Sequence, residues 1–412
     1  MKLAIVTPYP PSKVALKEYA FHLAKSFAQK EAIEELILLT DRTDKPKNLS
    51  FTTAGCWVKV KQCWSLDSYT NVVSVIRALN KTKPNAVLFN LQFTNFGNKK
   101  VATALGLLLP AMCKWKKIPT IVLLHNTVKY SNMLNNKYKD NVLLQKGNNL
   151  LSAFYERLLL QANEVVFTLQ KNVDDYKNIY KNKNISLIPH GTFYIPEVSS
   201  NTEFEGTLQV LAFGKFGINK KVDRLIEAIE KIRYRRNIDV EIVIAGTDSD
   251  EVTGYLENVK ELYANVPKLK FTGYVEDYEV PAIFNRSTVV VLPYVEYGGS
   301  SEVLHITASY GKAMVVPNIG DFRDKLAQEG FLGEFYETDS VDSMAEAIES
   351  LLLDEEYRAQ QETANALAAR VNPMDKVTDM YMERFYKMLS SKKEQPVVKK
   401  KLKTIKSISF LK

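Results

Sequence analysis

Residues 289–317, VVVLPYVEYGGSSEVLHITASYGKAMVVP, hold a strand, a turn, a helix and a second strand in one short stretch. Val289-Val290-Val291-Leu292 is an unbroken apolar run, the pattern of a strand in a parallel sheet covered by helices on both faces. Pro293 ends it. Gly298, Gly299, Ser300 and Ser301 follow; they permit a tight turn and cap a helix expected from about Glu302. The first amides of such a helix have no intrahelical acceptor and point outward, which makes the turn a candidate anion site. Gly311 fits a left-handed stop, and Ala313-Met314-Val315-Val316 resumes the sheet. A bound pyrophosphate and an ordinary βαβ turn without ligand are both compatible with this stretch alone.

The same alternation extends in both directions. Upstream lie strands at 208–213, 239–245 and 269–272, separated by helices at 222–236, 251–264 and 278–286. Downstream, helices at 341–353, 355–370 and 374–390 finish the chain. The first half repeats the pattern, with strands at 2–6, 35–40, 86–91, 120–124, 164–169 and 185–188 and helices at 15–30, 69–82, 98–116, 150–162 and 172–180. Such alternation means doubly wound parallel sheets. Residues 196–207, PEVSSNTEFEGT, are polar and aperiodic, as expected of a domain linker. The expected organisation is a first Rossmann-like domain over 1–195, a second over 205–375, a closing helix over 376–390 that packs back on the first domain, and a basic tail over 391–412. A cleft is expected between the carboxyl ends of the two sets of strands.

With 412 residues, 46% hydrophobic and 25% charged, the chain has the composition of a globular protein of two domains. Of its formal charge of +8, residues 391–412 supply +7 through eight lysines and one glutamate, so the body is nearly neutral. There is no platform of aromatic and basic residues for nucleic acid. The tail interleaves its lysines with Val397, Val398, Leu402, Ile405, Ile408, Phe410 and Leu411. Such a segment can lie on an anionic membrane, each basic residue contributing about 1 kcal/mol near the surface; a solvated tail is the alternative reading. Three scattered cysteines, Cys56, Cys63 and Cys113, fit a reducing compartment. The short apolar run at the N-terminus reads as a buried strand and not as a signal segment. The expected location is the cytoplasm, with the tail allowing contact with the inner face of the membrane.

No GxGxxG follows the first strand, no Walker lysine loop occurs, and the four histidines are far apart in sequence, so dinucleotide and metal chemistry are disfavoured. Neither cofactor nor metal is expected. Phosphate handling would then rest on backbone amides and on lysine or arginine. In VLAFGKFGINKKVDRLIEAIEKI, residues 210–232, Gly214 frees the backbone at a strand end, and Lys215 and Lys220 stand five apart across a loop that enters a helix. Two cations at that edge, facing the 299–302 turn, would clamp a diphosphate and stabilise it as a leaving group. Solvated surface lysines are the plain alternative.

These features together resemble the GT-B glycosyltransferases of family 4. The resemblance is carried by the Lys215 to Lys220 loop followed by VDRLIEAI, by IVIAG ending at Gly246, by LKFTGYVEDYEVPAIFNRSTVVVLPY and by GSSEVLHITASYGKAMVV. It runs nearly end to end through the second half. In the first half it is looser, resting on TPYPPS, Leu124-His125-Asn126 and Ile188-Pro189-His190-Gly191. It implies an α/β fold of GT-B type: two Rossmann-like, doubly wound parallel-sheet domains facing a central cleft. It also implies a metal-independent transferase that moves a sugar from a nucleotide diphosphate sugar with retention. The resemblance makes Lys215, where the family usually has arginine, and Lys220 the diphosphate clamp. It makes His125 a donor-sugar contact, assigns the base to the backbone around Gly273, Tyr274 and Val275, and assigns phosphate or sugar to Gly299, Ser300 and Ser301.

The chain departs from the family at the two glutamates that flank the anion turn eight residues apart, because Gly298 and Ile306 stand there. Glu296 and Glu302 are the carboxylates nearby. Where the first-half loop usually has paired glycines, this chain has Ser12-Lys13-Val14-Ala15. The expected function is glycosyl transfer to a saccharide or lipid-linked acceptor in surface polysaccharide or glycoconjugate synthesis. The alternative, motivated by the missing glutamates, is a catalytically silent GT-B protein that serves as a partner or sugar-binding subunit.

Overall fold

The apolar runs and amphipathic stretches fold into two units, Met1–Pro189 together with Met374–Lys412, and His190–Pro373. The structure is a computed structural model; it describes residues 1–14, 16–43, 49–127, 142–194, 196, 206–249, 252–295 and 301–408. The expected linker at 196–207 therefore lies almost entirely outside the described residues.

Unit 1 is built on an eight-stranded sheet of order β3-β4-β2-β1-β5-β6-β7-β8. Its strands are β1 (Lys2–Val6), β2 (Glu35–Asp41), β3 (Leu49–Thr53), β4 (Cys56–Trp64), β5 (Ala86–Leu91), β6 (Thr120–Leu124), β7 (Glu164–Phe167) and β8 (Ile185–Leu187). Helices α1 (Lys17–Ala28), α2 (Asn71–Thr82), α3 (Lys100–Trp115), α4 (Val142–Leu159) and α5 (Gln170–Tyr180) alternate with them. Every residue of β5 and β6 is buried, as central parallel strands covered on both faces require. All three cysteines are free and buried, and burial pushes the Cys63 and Cys113 thiols up to about 12.

The β3–β4 hairpin is an addition to the expected parallel strands. It is antiparallel, lies at the sheet edge and turns through Ala54 and Gly55, both at positive φ, as a two-residue hairpin loop demands. Its strand CWVKVKQCW does alternate, with Cys56, Val58 and Val60 buried. Trp57 on its other face is 45% exposed, however, and the edge itself is β3.

Unit 2 holds a six-stranded, wholly parallel sheet of order β11-β10-β9-β12-β13-β14. Its strands are β9 (Leu208–Phe216), β10 (Val240–Asp248), β11 (Leu269–Gly273), β12 (Val289–Val291), β13 (Ala313–Pro317) and the short β14 (Glu334–Tyr336). The helices are α6 (Asp223–Arg236), α7 (Tyr255–Leu262), α8 (Val280–Arg286), α9 (Glu302–Ser309), α10 (Phe322–Glu329), α11 (Val341–Leu353) and α12 (Glu355–Ala369). β14 and α10 went unread in the sequence because each is too short to display a period.

The last helix, α13 (Met374–Ile408), returns to unit 1 and packs on α1. Ser26 and Thr378 share a hydrogen bond of 2.8 Å, and Lys30 pairs with Asp375 at 2.6 Å and Asp379 at 2.7 Å. Phe27 and Tyr381 meet at 6.1 Å between centroids, both fully buried. The expected boundary between closing helix and tail is absent: the helix continues to Ile408. The side chains from 392 onward, on which the membrane reading rests, lie outside the described residues.

Candidate functional site

Strand β9, LQVLAFGKF, pairs with β10 along its whole length and sets Gly214 opposite Gly246. A Cβ built on Gly246 would come within 1.8 Å of the Gly214 carbonyl oxygen, and Gly246 has φ of +140°. Only glycine permits that approach. The strand then opens into a loop closed by a hydrogen bond from Gly217 N to Lys220 O of 2.9 Å. Lys221 N donates to Pro293 O at 3.0 Å and Val295 N to Asn219 O at 3.0 Å, so this loop is stitched to the segment after β12. An antiparallel bridge between Lys220 and Tyr294 completes the seam.

The seam fixes where the Lys220 ammonium stands. Its Nζ lies 4.5 Å from the centroid of the Tyr294 ring. It also lies 3.4 Å from the Cβ that Gly214 lacks, with Val303 of α9 beside the same spot. The Tyr294 hydroxyl shares a hydrogen bond of 2.9 Å with Ser301 Oγ. Ser301 is the cap of α9, with extended φ and ψ, and its Oγ accepts from Leu304 N at 3.2 Å. A cation, a glycine-lined strand end and a capped helix start thus converge at the carboxyl edge of the sheet. That combination attracts an anion through charge and through the dipole of the helix start. Tyr336 holds the seam from below: its hydroxyl, on a ring 1% exposed, donates to the carbonyls of Leu292 at 2.9 Å and Tyr294 at 3.3 Å.

The structure thus brings Gly214, Lys220 and Ser301 together. Glu302 occupies the first turn of α9. Lys215 is exposed near the end of β9, in register with Thr247. Tyr274, just past β11, is 69% exposed, and Val275 packs against the core under α8 and α9. Glu296, Gly298, Gly299 and Ser300 lie outside the described residues. Ile306, where the resemblance places the second glutamate, packs on apolar core. Tyr294 and Tyr336 are the residues that sequence reasoning missed. The signal was slight: an aromatic directly after the Pro293 that ends an apolar strand.

Behind the helix start, α9 turns a different face to α10. His305 is fully buried, stacked on His190 at 4.2 Å between ring centroids and edge-on to Phe331 at 5.6 Å. Its Nε2 is 3.6 Å from Glu329 Oε1, too far for a hydrogen bond. Neither ring nitrogen makes a hydrogen bond, nor does that carboxylate oxygen. Burial, with Lys325 nearby, drives the His305 pKa well down and keeps the ring neutral. Burial raises Glu329 to about 7 against the pull of Lys325, and lowers Lys325 against its acidic neighbours.

His125 belongs to unit 1, where β6 ends. Its Nε2 is 2.7 Å from Asn90 Oδ1, Asn90 Nδ2 donates to Thr7 Oγ1 at 2.9 Å, and the Tyr19 ring meets the imidazole edge-on at 4.5 Å. Ser12, in the loop without paired glycines, donates to Asp41 Oδ2 at 2.7 Å, and burial raises the Asp41 pKa. Among the described residues, no group of three His, Cys, Asp or Glu side chains could hold a metal ion. Nor, among the described residues, is any helix long and apolar enough to cross a membrane.

Residues 194–367, most of unit 2, match the family model described as glycosyl transferases group 1. No curated protein matches the sequence. Solved structures match the fold over nearly the whole chain. Sucrose-phosphate synthase from Thermosynechococcus elongatus superposes with a TM-score of 0.69 at 12% identity, covering 95% of this chain and 99% of that one. A glycosyltransferase from Rickettsia africae gives 0.64 at 15% identity, covering 94% and 98%. Anabaena HepE, in complex with UDP and glucose, gives 0.63 at 13% identity, covering 93% and 98%. The fold is that of the GT-B glycosyltransferases, with two parallel-sheet units.

Proposed function

We propose that the protein is a glycosyltransferase. It moves a sugar from a nucleotide diphosphate sugar to a saccharide or lipid-linked acceptor, with retention of configuration, in surface polysaccharide or glycoconjugate synthesis. The observation that carries this reading is the Lys220 ammonium, standing over Gly214 beside the capped start of α9, inside the segment that matches the group 1 family model. As the bond from the anomeric carbon to the diphosphate breaks, its electron pair leaves with the nucleoside diphosphate. The acceptor hydroxyl oxygen bonds to that carbon from the same face, and the hydroxyl proton passes to the departing phosphate oxygen. The charge that develops there is stabilised by Lys220, by Lys215 from the end of β9 and by the α9 amides. Gly299, Ser300 and Ser301 meet the phosphates or the sugar, Tyr274 and Val275 the base, and Glu302 or Glu296 stands in for the absent carboxylates. His125 touches the donor sugar, a role resting on the resemblance alone. The reaction requires neither metal nor other cofactor. The protein works in the cytoplasm at the inner membrane face, a placement supported by the lysines of the tail.

The test is incubation with UDP-, GDP-, ADP- and dTDP-sugars while nucleotide release is followed. Release from one of the four, accelerated by an acceptor, is the expected result; binding to none of them contradicts the reading. A second reading, a catalytically silent GT-B subunit, is favoured by Ile306, whose apolar packing leaves no carboxylate at that position. Tight nucleotide binding without turnover on any acceptor would establish it.

A further inference from the structure

We infer that Tyr294 is a positioning residue that holds Lys220 in place for the diphosphate of the donor; this rests on the glycosyltransferase reading above. A free lysine side chain has four rotatable bonds and loses substantial rotamer entropy when its ammonium is fixed. A binding site can offset that cost by seating the ammonium beforehand. A carboxylate would do so, but its formal charge would also neutralise the cation and compete with the incoming anion. The face of an aromatic ring attracts a cation through its quadrupole while carrying no net charge. In this protein Lys220 Nζ lies 4.5 Å from the Tyr294 ring centroid, and among the described residues Lys220 forms no ion pair with a carboxylate. Among the described residues the cation is thus seated by a ring that carries no net charge.

Tyr294 is itself held on every side. It is 4% exposed and its ring lies against Phe322, at 5.8 Å between centroids. Its carbonyl accepts from the Tyr336 hydroxyl, and its backbone bridges to Lys220. Through its own hydroxyl it also reaches Ser301, the cap of α9. One side chain therefore sets the cation and the helix start relative to each other. The ring serves the lysine and the hydroxyl serves the helix cap, so the two contributions separate chemically.

The experiment is a double-mutant cycle on nucleoside diphosphate affinity, read by calorimetry with whichever of UDP, GDP, ADP and dTDP the wild type binds most tightly. If Tyr294 acts through Lys220, Tyr294→Leu weakens binding by about tenfold, between the values for an exposed and a desolvated cation–π contact. In a Lys220→Met background the same change then weakens binding by less than about twofold, because the group it positions is gone. Tyr294→Phe, which keeps the ring, stays within about threefold of wild type and supplies a second arm should the leucine variant fold poorly. Additive losses from Tyr294→Leu and Lys220→Met would overturn the positioning role while leaving the function intact, as would a phenylalanine variant as weak as the leucine one. A wild type that binds none of the four, or a Lys220→Met variant that binds like wild type, would remove the diphosphate reading and this inference with it.

Discussion

At the carboxyl ends of the unit 1 strands, Thr7, Asn90 and His125 form a chain of hydrogen bonds in which each side chain serves the next. At the corresponding ends in unit 2, Lys220 rests on the Tyr294 ring and Ser301 caps α9. Both regions lie at the edge where open α/β sheets place ligands, and both are well ordered by their partners. They differ in what remains after those partners are counted. In unit 1 a carbonyl oxygen meets a ring nitrogen and an amide meets a hydroxyl, so these contacts orient the His125 ring with no lysine among them. In unit 2 the cation is located by a group that does not discharge it, and the helix start keeps its field. Order at a strand end is therefore not by itself the mark of a diphosphate site; order around a cation is.

The largest expected effect tests that remainder directly. Lys220→Ala should lower the rate of nucleotide release from the donor by well over tenfold, given about 1.5–3 kcal/mol for each charge-assisted hydrogen bond lost. Thermal unfolding should barely shift, because the side chain is only half-buried. An unchanged rate would erase the contrast between the two edges.

The next largest concerns the buried side of α9. Glu329 titrates at about 7 in the folded protein against an ordinary value of 4.5. Between those values the folded state keeps a proton that the unfolded chain has released. Folding stability from this group is therefore full below pH 4.5 and falls as pH rises to about 7, by on the order of 3 kcal/mol. Glu329→Gln removes that slope. Relative to wild type the variant should gain stability between pH 4.5 and 8, as urea unfolding would read. His305 stays neutral through this range and Lys325 is coupled to the same carboxyl, so the difference reports the Glu329–Lys325 pair. A constant difference across that range would show that the carboxylate is already charged.

Asn90→Ala should cost about 2 kcal/mol of stability, since it strips partners from both His125 and Thr7 inside unit 1. Nucleoside diphosphate affinity should not change; a large loss of affinity would mean that the unit 1 edge also holds the diphosphate. Smallest is Tyr336→Phe, which deletes a hydroxyl bonded to two backbone carbonyls. About 1 kcal/mol of stability should go, with a modest fall in nucleotide affinity as the Tyr294 seam loosens.

How much of this was legible in the sequence follows from the range of the interactions. Apolar runs such as Val289-Val290-Val291 and Ile121-Val122-Leu123-Leu124 declare central parallel strands locally, and the alternation of such runs with helices declares the fold class. Gly214, Lys220 and Ser301 could be read as neighbours because each lies near or beyond the carboxyl end of a strand, and all parallel strands end on one side. The seat of Lys220 could not be read, because it is a contact between loops that are distant in sequence. The apolar packing of Ile306 and the stacking of His190 on His305 are equally non-local. The β3–β4 hairpin was legible in principle through its alternation, but its exposed Trp57 and outward lysines hid it. α13 was expected to end near residue 390, yet its helix crosses Pro396 and continues to Ile408.

The account stands most directly on one comparison of ligands. Titrating the protein with uridine and UDP, guanosine and GDP, adenosine and ADP, and thymidine and dTDP should show one diphosphate binding more than tenfold tighter than its nucleoside. Lys220→Ala should remove most of that difference. If every nucleoside binds as well as its diphosphate, or if the preference survives in Lys220→Ala, the charge left over at the edge of unit 2 is not a diphosphate site.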